Sequence, residues 1–314
     1  MIAIKRGLLE REDTYSLRGI AMILIIVSHT FNGYPTANTA YFFPQWLNFL
    51  HMELWGGMGV DIFLLLSGYG LFLSLSKREA PNGKYIASKM RRLLQPYFIY
   101  WVVEIFVLLI WNRKELTPHL LEEMVTFSIH PDVENWFFKV IVGIYIVVIA
   151  LFKVNIPHRV RLCIIVFASV AYLLIMKALG AGAWWYQSIL CFPVGAIIAY
   201  KRNWFASRKP FVVVLAALVV IIASLLTQRA IVVFHVAFAC MTIYLIRFFD
   251  IRNRLLYFVG LNSFIFYFVE CPVMDEIMMF AYPNFLLYTA FTLIGTLLLS
   301  AAIVSLLHTK KTWL

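Results

Sequence analysis

The sequence predicts an all-α, polytopic membrane helical bundle, with about ten transmembrane helices and both termini cytoplasmic. Three observations predict it. Hydrophobic residues make up 62% of the 314 positions and charged residues only 14%, whereas soluble domains carry about a quarter charged residues. The apolar residues gather into runs of about 16 to 23, close to the ~20 residues a helix needs to cross ~30 Å of hydrocarbon. The runs also lack the alternating character of barrel strands, so helices are the spanning element.

In chain order the spans fall at 15–34, 56–76, 93–111, 136–152, 162–178, 184–200, 210–226, 230–246, 255–275 and 284–306. The first resembles a signal peptide in having basic residues before it and small Ala37 and Ala40 after it. Its length, with Arg18 and His29 inside it, makes it a permanent helix instead. The second, "GGMGVDIFLLLSGYG", carries Asp61, and the third follows the basic run "KYIASKMRRLLQPYFIYW" and carries Glu104. Trp46, Trp55, Trp111, Trp136, Trp184 and Trp185 near span ends are expected as interfacial anchors, the outer ones alternatively as stacking platforms for a sugar ring. The eighth span holds His235 and the ninth Glu270.

Orientation follows from the basic residues. One side collects Lys5, Arg6, Arg11 and Arg18; Lys77, Arg78, Lys84, Lys89, Arg91 and Arg92; Lys153, Arg159 and Arg161; Lys201, Arg202, Arg208 and Lys209; Arg247, Arg252 and Arg254; and Lys310 and Lys311. These are 22 of the 27 Lys and Arg, against Arg113, Lys114, Lys139, Lys177 and Arg229 on the other side. The split places both termini in the cytoplasm. The net charge of +11 is thus a cytoplasmic rim suited to membrane lipids or an anionic cytosolic ligand, and no nucleic-acid partner is expected. Cys163, Cys191, Cys240 and Cys271 stand singly in apolar spans, with neither metal-ligand nor disulfide spacing, and read as ordinary core or lipid-facing residues. No metal is expected. No fused soluble domain or repeat is visible, so residues 1–314 read as one integral-membrane domain.

Ionisable residues inside spans are costly and therefore candidate functional groups. Eleven helical steps of 100° return to within about 20°, so Arg18 and His29 share a face about 16 Å apart along the axis. Arg18 sits at the cytoplasmic edge and His29 in the outer half of the bilayer. Asp61 matches His29 in depth and is the candidate to hold its imidazole in one tautomer. Glu270 and His235 lie at similar depth and Glu104 slightly deeper; the two glutamates are candidates for binding acceptor hydroxyls. A structural reading stands beside each of these: a lone intramembrane histidine often bridges helices, and His235 fits that role. The basic run before the third span serves as positive-inside anchoring, or as a phosphate clamp.

Five stretches resemble the membrane-bound acyltransferase-3 family, bacterial enzymes that acylate cell-envelope polysaccharides and related molecules. They are "YSLRGIAMILIIVSHT", with the arginine, ten residues, histidine signature; "GVDIFLLLSGYGLF"; "KMRRLLQPYFIYW"; "NWFFKVIVGIYIV"; and "FVGLNSFIFYFVECPV". The resemblance implies catalysis by His29 with Arg18 as its signature partner, and contacts from Arg91, Arg92 and Lys89 to the phosphates of acyl-CoA. Three departures stand out. "SFIFYFVE" places Glu270 where the family often has histidine, Ile141 replaces a glutamate common in the middle motif, and the hydrolase-like domain some members carry is not expected here.

The resemblance implies an acyl-CoA-dependent O-acyltransferase that uses acyl-CoA, commonly acetyl-CoA, as donor substrate with no tightly bound cofactor. The acceptor is an extracytoplasmic or lipid-linked glycan, and the location a bacterial cytoplasmic membrane. Self-association as a homo-oligomer stays open. His29 would act as general base toward the acceptor hydroxyl or be acylated itself. Two other classes remain: a transporter using the intramembrane His, Asp and Glu as a proton relay, and a non-catalytic scaffold of a polysaccharide assembly complex. Matching broken spans in two halves would favour the transporter; the sequence offers none.

Overall fold

A computed structural model of the chain describes residues 9–35, 54–78, 81–106, 136–227, 231–281 and 284–308, with positions 44, 118 and 122. The regular elements among them are helices: α1 (Arg11–Gly33), α2 (Trp55–Ser76), α3 (Gly83–Phe106), α4 (Trp136–Lys153), α5 (His158–Ala178), α6 (Cys191–Tyr200), α7 (Arg202–Ala206), α8 (Pro210–Thr227), α9 (Ile231–Leu245), α10 (Arg254–Leu261), α11 (Ser263–Ala281) and α12 (Phe285–His308). Trp46, Trp111, Arg113, Lys114, Arg229, Lys310 and Lys311 lie outside the described residues, as does the side chain of Glu104.

Six of these helices are long and apolar enough to cross a membrane, and seven if α10 and α11 count as one broken span. The expected ten spans differ from these at four places. The 93–111 run falls on α3, which is not among the six, and its residues 107–111 lie outside the described residues. The 184–200 run is divided between a single 3₁₀ turn, Ala183–Trp185, and the ten-residue α6. The 230–246 run forms the 15-residue α9. The 255–275 run bends by 85° between α10 and α11, at Asn262, whose side-chain amide donates to the Phe258 carbonyl. That bond satisfies an end-of-helix acceptor at the break.

The chain divides into two compact units, Met1–Leu73 with Val166–Leu314, and Ser74–Ile165. In the first, α1 packs along α10, α8 against α9, and α11 against α12, with α1 also touching α11 and α12. Two crossings bring backbones together. A Cβ at Gly260 would sit 1.8 Å from the Tyr15 carbonyl oxygen and one at Gly19 2.2 Å from that of Leu256, so α1 and α10 meet glycine to backbone in both directions. Gly68 of α2 and Gly195 of α6 repeat this, with 2.0 Å to the carbonyls of Phe192 and Leu65. Small residues at such crossings replace the hydrophobic drive that lipid removes.

The start of α1 is fixed by charge. Glu10 and Asp13 form a capping box, which satisfies first-turn N–H groups and sets negative charge on the positive helix end. Arg252, in the turn before α10, donates to Asp13 Oδ1 at 3.1 Å and to Glu10, with Glu12 at 3.7 Å. At the other end of α1, Tyr34, Phe285 and Tyr288 form a buried cluster joined by Phe31, Trp55, Met274 and Ile277. Together these fix both ends of the helix that carries Arg18 and His29.

In the second unit, the last turn of α2 meets the start of α3. Ser74 Oγ and Tyr85 Oη are 2.6 Å apart. The Arg78 guanidinium lies 4.5 Å and the Lys89 ammonium 5.3 Å from the Tyr85 ring centre. Burial pushes the Tyr85 phenol up in pKa, against the Ser74 bond and Arg78, which pull it down.

Candidate functional site

Four of the eight candidate residues, Arg18, His29, Asp61 and Glu270, come from three helices of the first unit. His29, about one turn before the end of α1, points its Nδ1 at Oε1 of Glu270 on α11, 3.0 Å away. The glutamate is 1% exposed and the imidazole 35%. With Glu270 ionised, its carboxylate only accepts hydrogen bonds, so a neutral His29 carries its proton on Nδ1 and its basic lone pair on Nε2. That is the arrangement of an oriented general base: one nitrogen held by a buried acid, the other available to a substrate proton.

The expected pairing of His29 with Asp61 is corrected here. Asp61 Oδ2 instead lies 2.6 Å from Nδ1 of His235 on α9, both essentially without exposure, and Cys191 Sγ donates to Oδ1 at 3.5 Å. Depth alone equated Asp61 and Glu270, but helix faces separate them: Asp61 of α2 turns toward α6 and α9, whereas Glu270 of α11 turns toward α1. Glu270 accordingly holds the histidine. His235, read as structural, is the buried partner of Asp61. Gly57 lies against its ring: a Cβ there would meet His235 Cε1 at 2.8 Å and Gln187 Nε2 at 3.1 Å.

This pair gives a first prediction. Removing the Asp61 charge strands a buried imidazole, so Asp61→Asn should cost about 3 kcal/mol of stability. Thermal unfolding of the purified protein in detergent reads it as a clear fall in Tm; an unchanged Tm contradicts the pairing.

Cys271, adjacent to Glu270, stands beside the same histidine. The donor atoms of His29, Glu270 and Cys271 all lie within 4.8 Å of one another. The sequence reads this cysteine as an ordinary core or lipid-facing residue, because it stands singly in an apolar span and its partner is 242 positions away. Nitrogen, oxygen and sulfur at this spacing are donors that could hold a zinc ion. The direct His29–Glu270 hydrogen bond engages Nδ1 and Oε1. The second carboxylate oxygen of Glu270 is buried with no hydrogen-bond partner among the described residues, so the cluster keeps one acceptor unfilled.

Arg18 lies on α1 as expected, its guanidinium 5.9 Å from the Tyr15 ring centre. Its Nε is buried with no hydrogen-bond partner among the described residues. Along α12, which packs on α1 and whose Thr289 hydroxyl donates to that of Thr30 at 3.3 Å, Thr292, Thr296 and Ser300 follow at four-residue spacing. All three are fully buried with hydroxyls unpartnered among the described residues. Each such group inside an apolar bundle costs about 1–3 kcal/mol unless water or a ligand meets it.

The second unit holds the expected phosphate-binding residues. Lys89 is half-buried beside Tyr85, while Arg91 and Arg92 are exposed. Arg91 heads a groove of ≈ 640 Å³ that continues over Leu94, Gln95, Phe98, Ile99 and Val102 on one face of α3. A cation above an apolar strip suits an amphiphile with an anionic head.

Comparison with known proteins adds a family assignment: the acyltransferase-3 family model, described as an acyltransferase domain, matches residues 16–305. No curated protein and no solved structure matches the chain.

Proposed function

The chain belongs to the acyltransferase-3 family, and from that premise we propose that it moves an acyl group from cytosolic acyl-CoA to a hydroxyl of an extracytoplasmic or lipid-linked glycan. The observation that carries this reading is the His29–Glu270 pair, a base held by a buried acid in a helical membrane protein of an acyltransferase family. His29 takes the proton of the attacking hydroxyl while Glu270 keeps its ring in one tautomer and offsets the positive charge that develops on it.

The donor fits the basic face. Arg91, Arg92 and Lys89 bind the CoA phosphates, since guanidinium forks and ammonium groups pair with phosphate oxygens. Arg18, whose buried Nε has no hydrogen-bond partner among the described residues, polarises the donor along its path. The hydroxyls of Thr292, Thr296 and Ser300 supply hydrogen bonds for the amide-bearing pantetheine arm, which can span the ~16 Å from Arg18 to His29. Acetyl is the acyl group of choice, with no tightly bound cofactor. The glycan approaches from the outer side, where Glu104 is the remaining candidate for its hydroxyls. The reading counts ten crossings, the six long apolar helices with α3, α6, α9 and the bent α10–α11 pair, and both termini in the cytoplasm of a bacterial inner membrane.

Vesicles of known orientation test this reading. With radiolabelled acetyl-CoA supplied only to the cytoplasmic face, label should appear in glycan on the opposite face. Label on the donor side, or no CoA consumption, overturns it.

A further inference from the structure

We propose that the acyl group travels through Cys271: the thiol accepts it from CoA, holds it as an enzyme thioester and passes it to the acceptor hydroxyl. This rests on the acyltransferase reading above and assigns the residue that carries the group between the two substrates. Three observations support it. The Cys271 sulfur, a His29 ring nitrogen and a Glu270 oxygen lie within 4.8 Å of one another, the nucleophile, base and orienting acid of covalent catalysis. Cys271 and the His29 ring are both partly accessible, whereas Cys191 is buried against Asp61. Lastly, Glu270 Oε2 is fully buried and unpartnered among the described residues, leaving acceptor capacity inside the cluster for the positive charge that forms on His29.

The chemistry closes in two half-reactions. In the first, His29 takes the thiol proton and the Cys271 sulfur attacks the thioester carbonyl of acyl-CoA. The carbon–sulfur bond to CoA breaks, and the leaving thiolate takes the proton back from His29, giving free CoA and acyl-Cys271. In the second, His29 takes the acceptor's hydroxyl proton, the oxygen attacks the acyl carbon, the bond to Cys271 breaks, and His29 returns the proton to the thiolate.

One thioester replaces another in the first step, so the intermediate lies close in energy to the donor. An acyl-imidazole on His29 would lie well above both. The route also removes the need for a cytosolic donor and an outer acceptor to occupy the site together, and it gives ping-pong kinetics.

The test uses full-length purified protein with radiolabelled acetyl-CoA and no acceptor. Wild type should take up label at Cys271, located by peptide mass spectrometry and released by neutral hydroxylamine. Cys271→Ala and His29→Ala should take up none, while Cys240→Ser labels as wild type. Because residues acting as a unit are non-additive, the double variant Cys271→Ala/His29→Ala should turn over no more slowly than His29→Ala. Cys271→Ser, close in size to the native residue, guards against misfolding: it should keep the wild-type Tm and lose hydroxylamine-labile label. Acyl transfer at wild-type rate by folded Cys271→Ala overturns the inference and leaves the acyltransferase reading intact. No CoA consumption by wild type overturns both.

Discussion

His29→Ala should lower acyl-CoA turnover by about 10²- to 10⁴-fold, the range contributed by a positioned general base, while leaving the helix bundle folded. The side chain is a third exposed and is held by a hydrogen bond to Glu270, so its removal opens space at an accessible site and does not empty a packed core. The loss should fall on kcat, because the proton moves in the transition state and contributes little to ground-state binding. Glu270→Gln should give a milder version: the amide can still hydrogen-bond Nδ1 but no longer offsets the developing imidazolium charge. Thiol release from acetyl-CoA, set beside Tm for each variant, separates this from a folding defect. A His29→Ala protein that keeps wild-type kcat contradicts the assignment.

Gly68→Val should prevent accumulation of a monodisperse protein. The first added carbon would sit 2.0 Å from the Phe192 carbonyl oxygen, against the backbone of α6 and no flexible side chain, and Gly195 meets Leu65 equally closely from the other helix. Relief requires the two helices to part, which also separates Asp61 of α2 from Cys191 of α6 and uncovers the His235 pair. Overpacking of well-packed sites costs about 1–3 kcal/mol, and a backbone-to-backbone contact belongs at the upper end or beyond. Gly70→Val is the control, since nothing lies within 4 Å of its Cβ position, so both variants carry the same β-branched helical residue. Size-exclusion profiles in detergent should show Gly70→Val as wild type and Gly68→Val as aggregated or absent. Equal behaviour of the two contradicts the close crossing.

The sequence was legible where a property depends on one helix at a time. Spans show in hydropathy because a lipid-spanning helix must be apolar along its length, and α1, α2, α4, α5, α8 and α12 meet that requirement. The shared face of Arg18 and His29 follows from helical period alone. The family follows from local motifs, chiefly the Arg18 to His29 signature, and its model covers residues 16–305.

What failed to show depends on which helix faces which. Asp61 and Glu270 read at similar depth, and a sequence does not say which helices face each other, so the acid that holds His29 is expected on α2 when it lies on α11. One hint was present: Glu270 stands where the family often has histidine. Cys271 was invisible for the same reason, since nothing in "FVECPV" announces a histidine across the bundle. The short α6 and the bend at Asn262 were hidden because apolar composition persists through a break that a side chain caps.

The central claim is that His29 and Glu270 act as one catalytic unit on acyl-CoA. The most direct measurement is the initial rate of thiol release from acetyl-CoA, with acceptor glycan present, by wild type, His29→Ala, Glu270→Gln and the double variant, each confirmed folded. The double variant should be no slower than His29→Ala, because once the base is gone the acid has nothing to orient. Losses that multiply in the double variant, or a Glu270→Gln enzyme indistinguishable from wild type, contradict the account.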